Sequence, residues 1–301
     1  MTILAPMAGV TDWAFRTVCR EVCPGIVTVS EMVSSKGLVY NDAKTARLLR
    51  LEERSGRAGV QIFGSDPACM AEAAAVALAR SGADFIDINM GCPTPKIVKN
   101  GDGCALMRDL PLAYQVIESV VKAVAVPVTV KFRRGWDRGT VNAVEFARMC
   151  EAAGAAALCV HGRTKTQMYS GAALWDEAGE IKEAVKLPVA VNGDIDSVAN
   201  AQRAVRNTRA DAVMVGRAAF GNPFLLRDIY NGVSKPVSIT ERVAFARRQF
   251  ELTVEDKGER VAVLEARKFI GWYLHGLRAR RELPITSMRT VQDVERILAG
   301  V

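Results

Sequence analysis

One cysteine in this chain stands in surroundings unlike those of the others. Cys92 lies in the run Asn89-Met90-Gly91-Cys92-Pro93-Thr94-Pro95-Lys96, with Gly101 and Gly103 following. Gly and Pro flank it and no apolar periodicity surrounds it, whereas Cys19, Cys69, Cys150 and Cys159 read as packing residues. A thiol near its ordinary pKa of about 8.5 is mostly protonated at pH 7. It can therefore donate a proton, or attack as a thiolate once ionised. Cys104 shares the loop and is the weaker rival. A Gly/Pro-rich loop of this length inside a compact domain is usually functional.

Other polar residues recur at one kind of position. Gln61, Asn89, Lys131, His161 and Asn192 each stand at or near the end of a short β-branched run, and a further run leads into Gly216-Arg217. One polar strand end is an accident of capping; six point to a shared ligand. Asn192-Gly193-Asp194 and Val215-Gly216-Arg217-Ala218 predict a phosphate site. Glycine lets backbone N–H groups approach oxygens, and Arg217 adds a fixed positive charge. A short helix starting near Arg217 would aim its positive end at the same anion. In Pro6-Met7-Ala8-Gly9, small residues would let a flat ring lie against the backbone.

These residues need a scaffold that gathers strand ends. Strand-like runs occur at 2–7, 26–30, 58–63, 85–89, 126–132, 156–161, 188–192 and 212–216. Amphipathic helical stretches, including 66–80, 111–124, 141–153, 175–185 and 197–207, lie between them. Runs such as Val126-Pro127-Val128-Thr129-Val130 are nearly continuous in apolar residues, as expected for parallel strands buried on both faces. Eight strand–helix units predict an α/β fold, a closed (β/α)8 TIM barrel, whose chemistry sits at the C-terminal strand ends. A doubly wound open sheet would want G-x-G-x-x-G after its first strand, and none is present there.

The pattern changes after Tyr230. Gly232-Val233-Ser234-Lys235-Pro236 reads as a linker, Thr240 as a helix N-cap, and 240–257, 260–278 and 291–298 as helices. The division is thus a barrel over residues 1–235 and a small C-terminal α-helical domain over 240–301. The tail holds 12 Lys/Arg against 9 Asp/Glu, clustered at Arg247-Arg248, Arg267-Lys268 and Arg278-Ala279-Arg280-Arg281. With a net charge of +7 over 301 residues, this favours a polyanionic partner.

Half the residues are apolar and 24% charged, an ordinary globular composition that argues against disorder. The start shows no basic n-region, and apolar stretches such as 73–79 are too short to span a bilayer. Seven scattered cysteines suit a reduced cytosol. Cys19 and Cys23 sit four apart, but with two histidines in the chain and no second Cys pair a zinc site is not expected. A cytoplasmic protein without metal or membrane attachment is predicted.

Taken in order, Ala5-Pro6-Met7-Ala8-Gly9-Val10-Thr11-Asp12, Gln61-Ile62-Phe63-Gly64, Asp87-Ile88-Asn89-Met90-Gly91-Cys92-Pro93, Lys131-Phe132-Arg133-Arg134-Gly135-Trp136, His161-Gly162-Arg163-Thr164, Asn192-Gly193-Asp194 and Gly216-Arg217 resemble the tRNA-dihydrouridine synthase family. The Asn-x-Gly-Cys-Pro loop with His-Gly-Arg-Thr is the specific part. Arg133-Arg134-Gly135-Trp136-Asp137 and Tyr169-Ser170-Gly171 are most similar to the bacterial B-type subgroup. The resemblance implies an oxidoreductase with FMN as cofactor, NADPH as reductant and the C5=C6 bond of a tRNA uridine as acceptor. It implies that Pro6, Met7, Ala8, Gln61, Lys131, His161, Asn192, Gly193, Asp194, Gly216 and Arg217 hold FMN. It makes Cys92 the acid that protonates C5, sets Asn89 and Arg163 at the uracil edge, and assigns RNA binding to the helical tail. The motifs carry no signal for oligomeric state or for which uridine is reduced. A rival is an FMN barrel acting on a small pyrimidine, as dihydroorotate dehydrogenases do; it gives the basic tail no role. An RNA-binding barrel without catalysis is argued against by Cys92 and Lys131.

Overall fold

Alternation along the strands separates two cores in the computed structural model, which describes residues 1–52, 56–277 and 283–301, with the backbone alone at Lys44. Among these residues the strands are β1 (Thr2–Leu4), β2 (Thr28–Ser34), β3 (Ala58–Phe63), β4 (Phe85–Met90), β5 (Val128–Arg133), β6 (Ala157–His161), β7 (Val189–Asn192) and β8 (Ala212–Val215). Side chains such as Leu4, Val60, Ile88, Val130, Val191 and Val213 point outward into a large apolar layer shared with the helices. Their alternates Ile3, Ala5, Val27, Val29, Cys159, Ala190, Ala212 and Met214 form a separate inner core. Near its lower end the Phe85 ring occupies the space that a side chain on Gly59 would fill.

Every neighbouring pair is parallel, in the order β1-β8-β7-β6-β5-β4-β3-β2. The ring closes where Leu4 N–H donates to Val27 O at 2.9 Å and Val27 N–H to Thr2 O at 3.0 Å. The predicted (β/α)8 barrel is therefore what the chain forms. Around it lie α1 (Trp13–Val22), α2 (Ser35–Val39), α3 (Ala43–Arg47), α4 (Pro67–Ser81), α5 (Pro95–Lys99), α6 (Leu110–Ala123), α7 (Ala143–Ala152), α8 (Asp176–Ala184), α9 (Val198–Thr208) and α10 (Phe224–Asn231). The short helices α2, α3 and α5 and helix α10 have no counterpart among the predicted runs; α5 lies within the stretch read as a Gly/Pro-rich loop.

After the barrel come α11 (Ile239–Lys257), α12 (Glu259–Tyr273) and α13 (Val291–Ala299), around a core that includes Phe250, Phe269, Tyr273, Val294 and Leu298. The cap of α11 is Ser238, not Thr240 as predicted. Ser238 Oγ accepts from Glu241 N–H at 3.1 Å, and the Glu241 carboxylate accepts from Ser238 N–H at 3.4 Å. This reciprocal box needs an acid three residues on, and Thr240 has Val243 there. Helix α12 stops five residues short of prediction, at Tyr273, with Gly276 just beyond in the left-handed region at φ +84. The helical unit packs on α1 through Leu252 against Ala14 and Val18. Arg248 pairs with Glu21 at 2.8 Å, and Arg50 with Glu255 and Asp256 at 2.5 and 2.9 Å. Part of the tail's basic excess is thus spent on the protein, since Arg247 also pairs with Glu295 at 2.9 Å. Arg278, Arg280 and Arg281 lie outside the described residues. Among those residues no helix is long and apolar enough to cross a membrane.

Polar chemistry also braces the helix that carries this contact. Glu52 is buried with Arg16 at 2.9 Å and Arg20 at 3.0 Å, both from α1, and accepts the Thr28 hydroxyl. Burial pushes the Glu52 carboxyl up, but Arg16, Thr28 and Arg20 outweigh it and hold it below its ordinary range. Removing one partner from a buried ion cluster leaves charge uncompensated, typically at about 3–5 kcal/mol. Glu52→Ala is accordingly expected to lower unfolding free energy by about 3–5 kcal/mol in urea titration. A loss below about 1 kcal/mol would mean that the two guanidinium groups find water instead.

Candidate active site

Strand register builds the site. Gln61 pairs across from Asp87, Asn89 from Lys131, Arg133 from His161, His161 from Asn192, and Asn192 from Met214. The stagger between parallel strands carries an inward residue near the C-terminal end of each of β3 to β7 to one mouth of the barrel. Gln61, Asn89, Lys131, His161 and Asn192, predicted from separate runs, are brought together there.

A directed chain of hydrogen bonds crosses the first half of this mouth. Asp87 is buried and accepts from Thr129 Oγ1 at 2.5 Å and from Gln61 Nε2 at 2.6 Å. Gln61 Oε1 then accepts from Asn89 Nδ2 at 2.8 Å. Asn89 Oδ1 in turn accepts from Gly91 N–H at 3.2 Å and Cys92 N–H at 2.9 Å. An ionised carboxylate can only accept, so Asp87 fixes which way both amides face. Burial pushes the Asp87 carboxyl up to about 6, with Thr129, Gln61 and Lys131 opposing a larger rise, so it is still mostly ionised above neutrality. Asp87 and Thr129 were absent from the predicted site. Their signal was a charged and a hydroxyl residue at inward positions of otherwise apolar strands.

Cys92, at the end of this chain, is partly exposed, and its thiol lies 3.3 Å from Thr94 Oγ1. Cys104 is buried, donates its thiol to Gly91 O at 3.1 Å, and its N–H to Cys92 O at 3.1 Å. Burial pushes the Cys104 thiol up to about 12. The two thiols of the loop therefore divide the work: Cys104 packs it and Cys92 faces outward. Arg133, also missed as a single residue, ties the loop to its neighbour. Its Nε donates to Gly91 O at 2.8 Å and its Nη1 to Thr164 O at 2.9 Å and Met168 O at 2.7 Å.

The second half of the mouth belongs to the loops after β1, β6, β7 and β8. Arg163 is 2% exposed and every one of its nitrogens has a protein partner. Nη2 reaches both oxygens of Asp194 at 2.9 Å and Gly171 O at 2.5 Å, Nε reaches Ser170 O at 3.2 Å, and Nη1 lies 3.5 Å from His161 Nε2. Burial, followed by Lys131, Arg133, Arg163 and Arg217, pushes the His161 imidazole far below its ordinary value, so it is neutral at pH 7. Asn192 Nδ2 donates to Met214 O at 2.8 Å. Gly193 adopts φ +109, and a Cβ there would stand 2.9 Å from the His161 ring. Asp194 accepts Ala173 N–H at 2.7 Å and lies 3.6 Å from the half-exposed Arg217.

Room for a ligand is visible in what these groups do not touch. A Cβ on Gly216 would meet only Met7 Sδ, at 3.9 Å, so the β8 turn and the Pro6-Met7-Ala8 turn face a common open space. A three-residue 3₁₀ turn, Arg217–Ala219, begins there, as predicted. The Lys131 ammonium makes no hydrogen bond or ion pair among the described residues. An ammonium without a partner among the described residues, at a polar strand-end mouth with a guanidinium beside a bare glycine backbone, fits an anionic planar ligand that carries a phosphate. No group of three or more His, Cys, Asp or Glu among the described residues could hold a metal ion.

A family model described as dihydrouridine synthase (Dus) matches residues 3–298. The tRNA-dihydrouridine synthase B of Pseudomonas aeruginosa is 43% identical over 305 residues, covering 99% of this chain and 91% of that protein. A probable tRNA-dihydrouridine synthase of Rickettsia conorii is 43% identical over 283 residues, covering 91% and 84%. Among solved structures, 6-hydroxypseudooxynicotine amine oxidase (HisD) of Pseudomonas geniculata N1 superposes with a TM-score of 0.59 at 16% identity, over 77% of this chain and 47% of that one. A variant of NCR from Zymomonas mobilis gives 0.53 at 19%, over 80% and 90%. At such identities the likeness is one of fold.

The division of labour between the two loop thiols is open to a direct check. In the native protein at pH 8, iodoacetamide should label Cys92 and the half-buried Cys69 first, read by peptide mass spectrometry. Cys104 should react at least about 100-fold more slowly, because burial both hides the thiol and suppresses its thiolate. Equal labelling of Cys92 and Cys104 would show that the loop opens in solution.

Proposed function

The chain belongs to the dihydrouridine synthase family, and from that membership we infer that it reduces the C5=C6 bond of uridines in tRNA to dihydrouridine. The cofactor is a flavin, which we propose to be FMN, with NADPH as its reductant. A flavin held there would supply the hydride chemistry linking the nicotinamide to C6 of the uracil ring. The observation that carries this reading is the unpaired Lys131 ammonium between Asn89 and the neutral His161, at the mouth that also displays Cys92.

Each residue of the mouth has a part in the proposal. Arg217 and the Gly216 backbone take the phosphate, while Pro6, Met7 and Ala8 provide the wall opposite. Lys131 meets the negative charge of the ring system as a preorganised cation. Gln61, Asn192, Gly193 and neutral His161 offer hydrogen bonds and close approach rather than charge. Asp194 serves the phosphate end by anchoring Arg163 and attracting Arg217. Cys92 delivers the proton to C5, and its thiol must be neutral to do so. Asn89 and Arg163 stand on the uracil side as the groups that hold the two facing loops, at 89–92 and 163–171. A base inside folded RNA must be turned out of its stack to reach this mouth.

The helical residues 240–301 are proposed to bind the RNA. The support is charge left over after internal pairing. Arg260 has no hydrogen bond or ion pair among the described residues, and with Arg267 and Arg289 it lines a groove of about 620 Å³ between α12 and α13. A barrel acting on a free pyrimidine is disfavoured, because relatives named for tRNA match the tail as well as the barrel.

Two substitutions separate cofactor binding from proton delivery. In Cys92→Ala, reduction of the flavin by NADPH should stay near the wild-type rate. Its anaerobic single-turnover reoxidation by tRNA should slow by about 10²–10⁴-fold, the range for loss of a general acid. Unchanged reoxidation would move the acid role to another group at the mouth. In Arg217→Ala, FMN affinity should fall about tenfold or more, since a charge-assisted hydrogen bond is worth about 1.5–3 kcal/mol. Undiminished affinity in a fluorescence titration would remove the phosphate assignment.

A further inference from the structure

The two turns assigned to the flavin, after β1 and after β8, are both held from outside the barrel by one face of α12. Lys268 Nζ donates to Gly9 O at 2.6 Å. The other side of the same residue is held too, for Gly9 N–H donates to the Glu31 carboxylate on β2 at 2.5 Å. One helical turn beyond Lys268, Trp272 stacks on Phe220 with ring centroids 4.4 Å apart and 22° between planes. Gly221, at φ +60, lies so close to the Trp272–Tyr273 backbone that a Cβ there would overlap it. Residues four apart share a helix face, and the Lys268 ammonium is 5.3 Å from the Trp272 ring centroid. Helix α11 adds a third hold at the end of the β1 turn: Lys257 Nζ lies 2.5 Å from Asp12 and 2.8 Å from Glu265. Asp12 itself caps α1 by accepting Phe15 N–H at 3.0 Å. Between the two held turns lies the open space where Gly216 faces Met7.

We propose that Lys268 and Trp272 are positioning residues for the flavin site, so that the helical domain completes the cofactor pocket in addition to gripping RNA. The proposal rests on the assignment of flavin to the β1 and β8 turns. Its physical content is simple. The β1 turn ends in short, exposed backbone around Gly9, which adopts φ +72 and where a Cβ would meet nothing within 4 Å. Bonds between Met7 and Thr11 close the turn on itself, and Lys257 holds Asp12 at its end, but the Gly9 tip is tied to its surroundings by two hydrogen bonds, one from each side. Loss of the Lys268 bond loosens the Gly9 tip of the turn, and flavin must then order it on binding. By linkage, anything that steadies α12 against the barrel, bound RNA included, tightens flavin, and flavin tightens RNA by the same factor.

The test uses full-length Lys268→Met and Trp272→Leu, with Lys268→Arg as the conservative control. FMN is titrated into each apoprotein by fluorescence quenching, and apoprotein melting is followed in parallel. Lys268→Met should raise the FMN dissociation constant about 5–20-fold with the apo melting curve unchanged, and Lys268→Arg should restore most of it. Trp272→Leu should weaken FMN as well, and saturating tRNA should recover part of the loss in both variants. If Lys268→Met raises only the KM for tRNA and leaves FMN binding at the wild-type value, Lys268 is a phosphate contact and the proposal is overturned. If the wild-type protein binds no FMN, the flavin assignment falls and this inference with it; equal FMN affinity in wild type and both variants removes the inference alone.

Discussion

A closed ring of parallel strands leaves every second side chain facing inward, and most of what this protein does follows from how that interior is filled. Lower down, Ile3, Val27, Val29, Ala190 and Ala212 fill it with small apolar groups, and Phe85 lies where Gly59 makes room. Higher up the same alternation delivers Gln61, Asp87, Asn89, Lys131, His161 and Asn192. From β3 to β8 the outward alternates are all apolar, because helices cover that face. The site is thus the top layer of the barrel core, made polar, and inherits the rigidity of the layer beneath.

Within that layer, polarity has a direction. Ionised Asp87 can only accept, so Gln61 turns its amide nitrogen toward it and its oxygen toward Asn89. Asn89 then presents its oxygen to the backbone of Cys92. A thiol on a Gly/Pro-rich loop gains from this a fixed backbone without losing its exposure. The other side of the mouth uses charge instead. Arg163 spends its donors on Asp194 and on loop carbonyls, and four cationic groups, together with burial, keep His161 neutral. Hydrogen-bond direction on one side and charge on the other orient the two loops that face each other.

Much of this was legible in the sequence, and the gaps have physical reasons. Strand β3 was placed at its observed bounds and most others within two residues, because β-branched runs between helical stretches are a strong signal. Strand β1 was drawn too long: after Leu4 the chain turns on itself, with Val10 and Thr11 N–H both donating to Met7 O. Polar residues at strand ends stood out, but Asp87 and Thr129 lie inside strands, where a polar residue announces itself only once its inward neighbours are known. The cap at Ser238 was missed because Thr240 also suits a cap until the acid three residues on is checked. The tail's cationic clusters were visible as charge. That Arg248 answers Glu21 across the fold was not, since nothing local ties residues so far apart.

The ring closure has a consequence for how the protein comes into being. Strand β1 pairs with β8, Thr2 beside Val213, so the six strands between them in sequence must be synthesised before the two can meet. The segments carrying Gln61, Asp87, Asn89, Cys92, Thr129 and Arg133 are near neighbours in sequence and pair β3 to β4 to β5 in order. The half of the mouth that holds the Cys92 loop can therefore assemble while the ribosome is still at work. The half made from the Met7 and Gly216 turns has the highest contact order in the barrel and waits for closure. Its outer brace, α12, emerges later still. The end proposed to hold the cofactor is the last part of the barrel to form, so a nascent chain would carry an ordered Cys92 loop before the proposed flavin turns had come together.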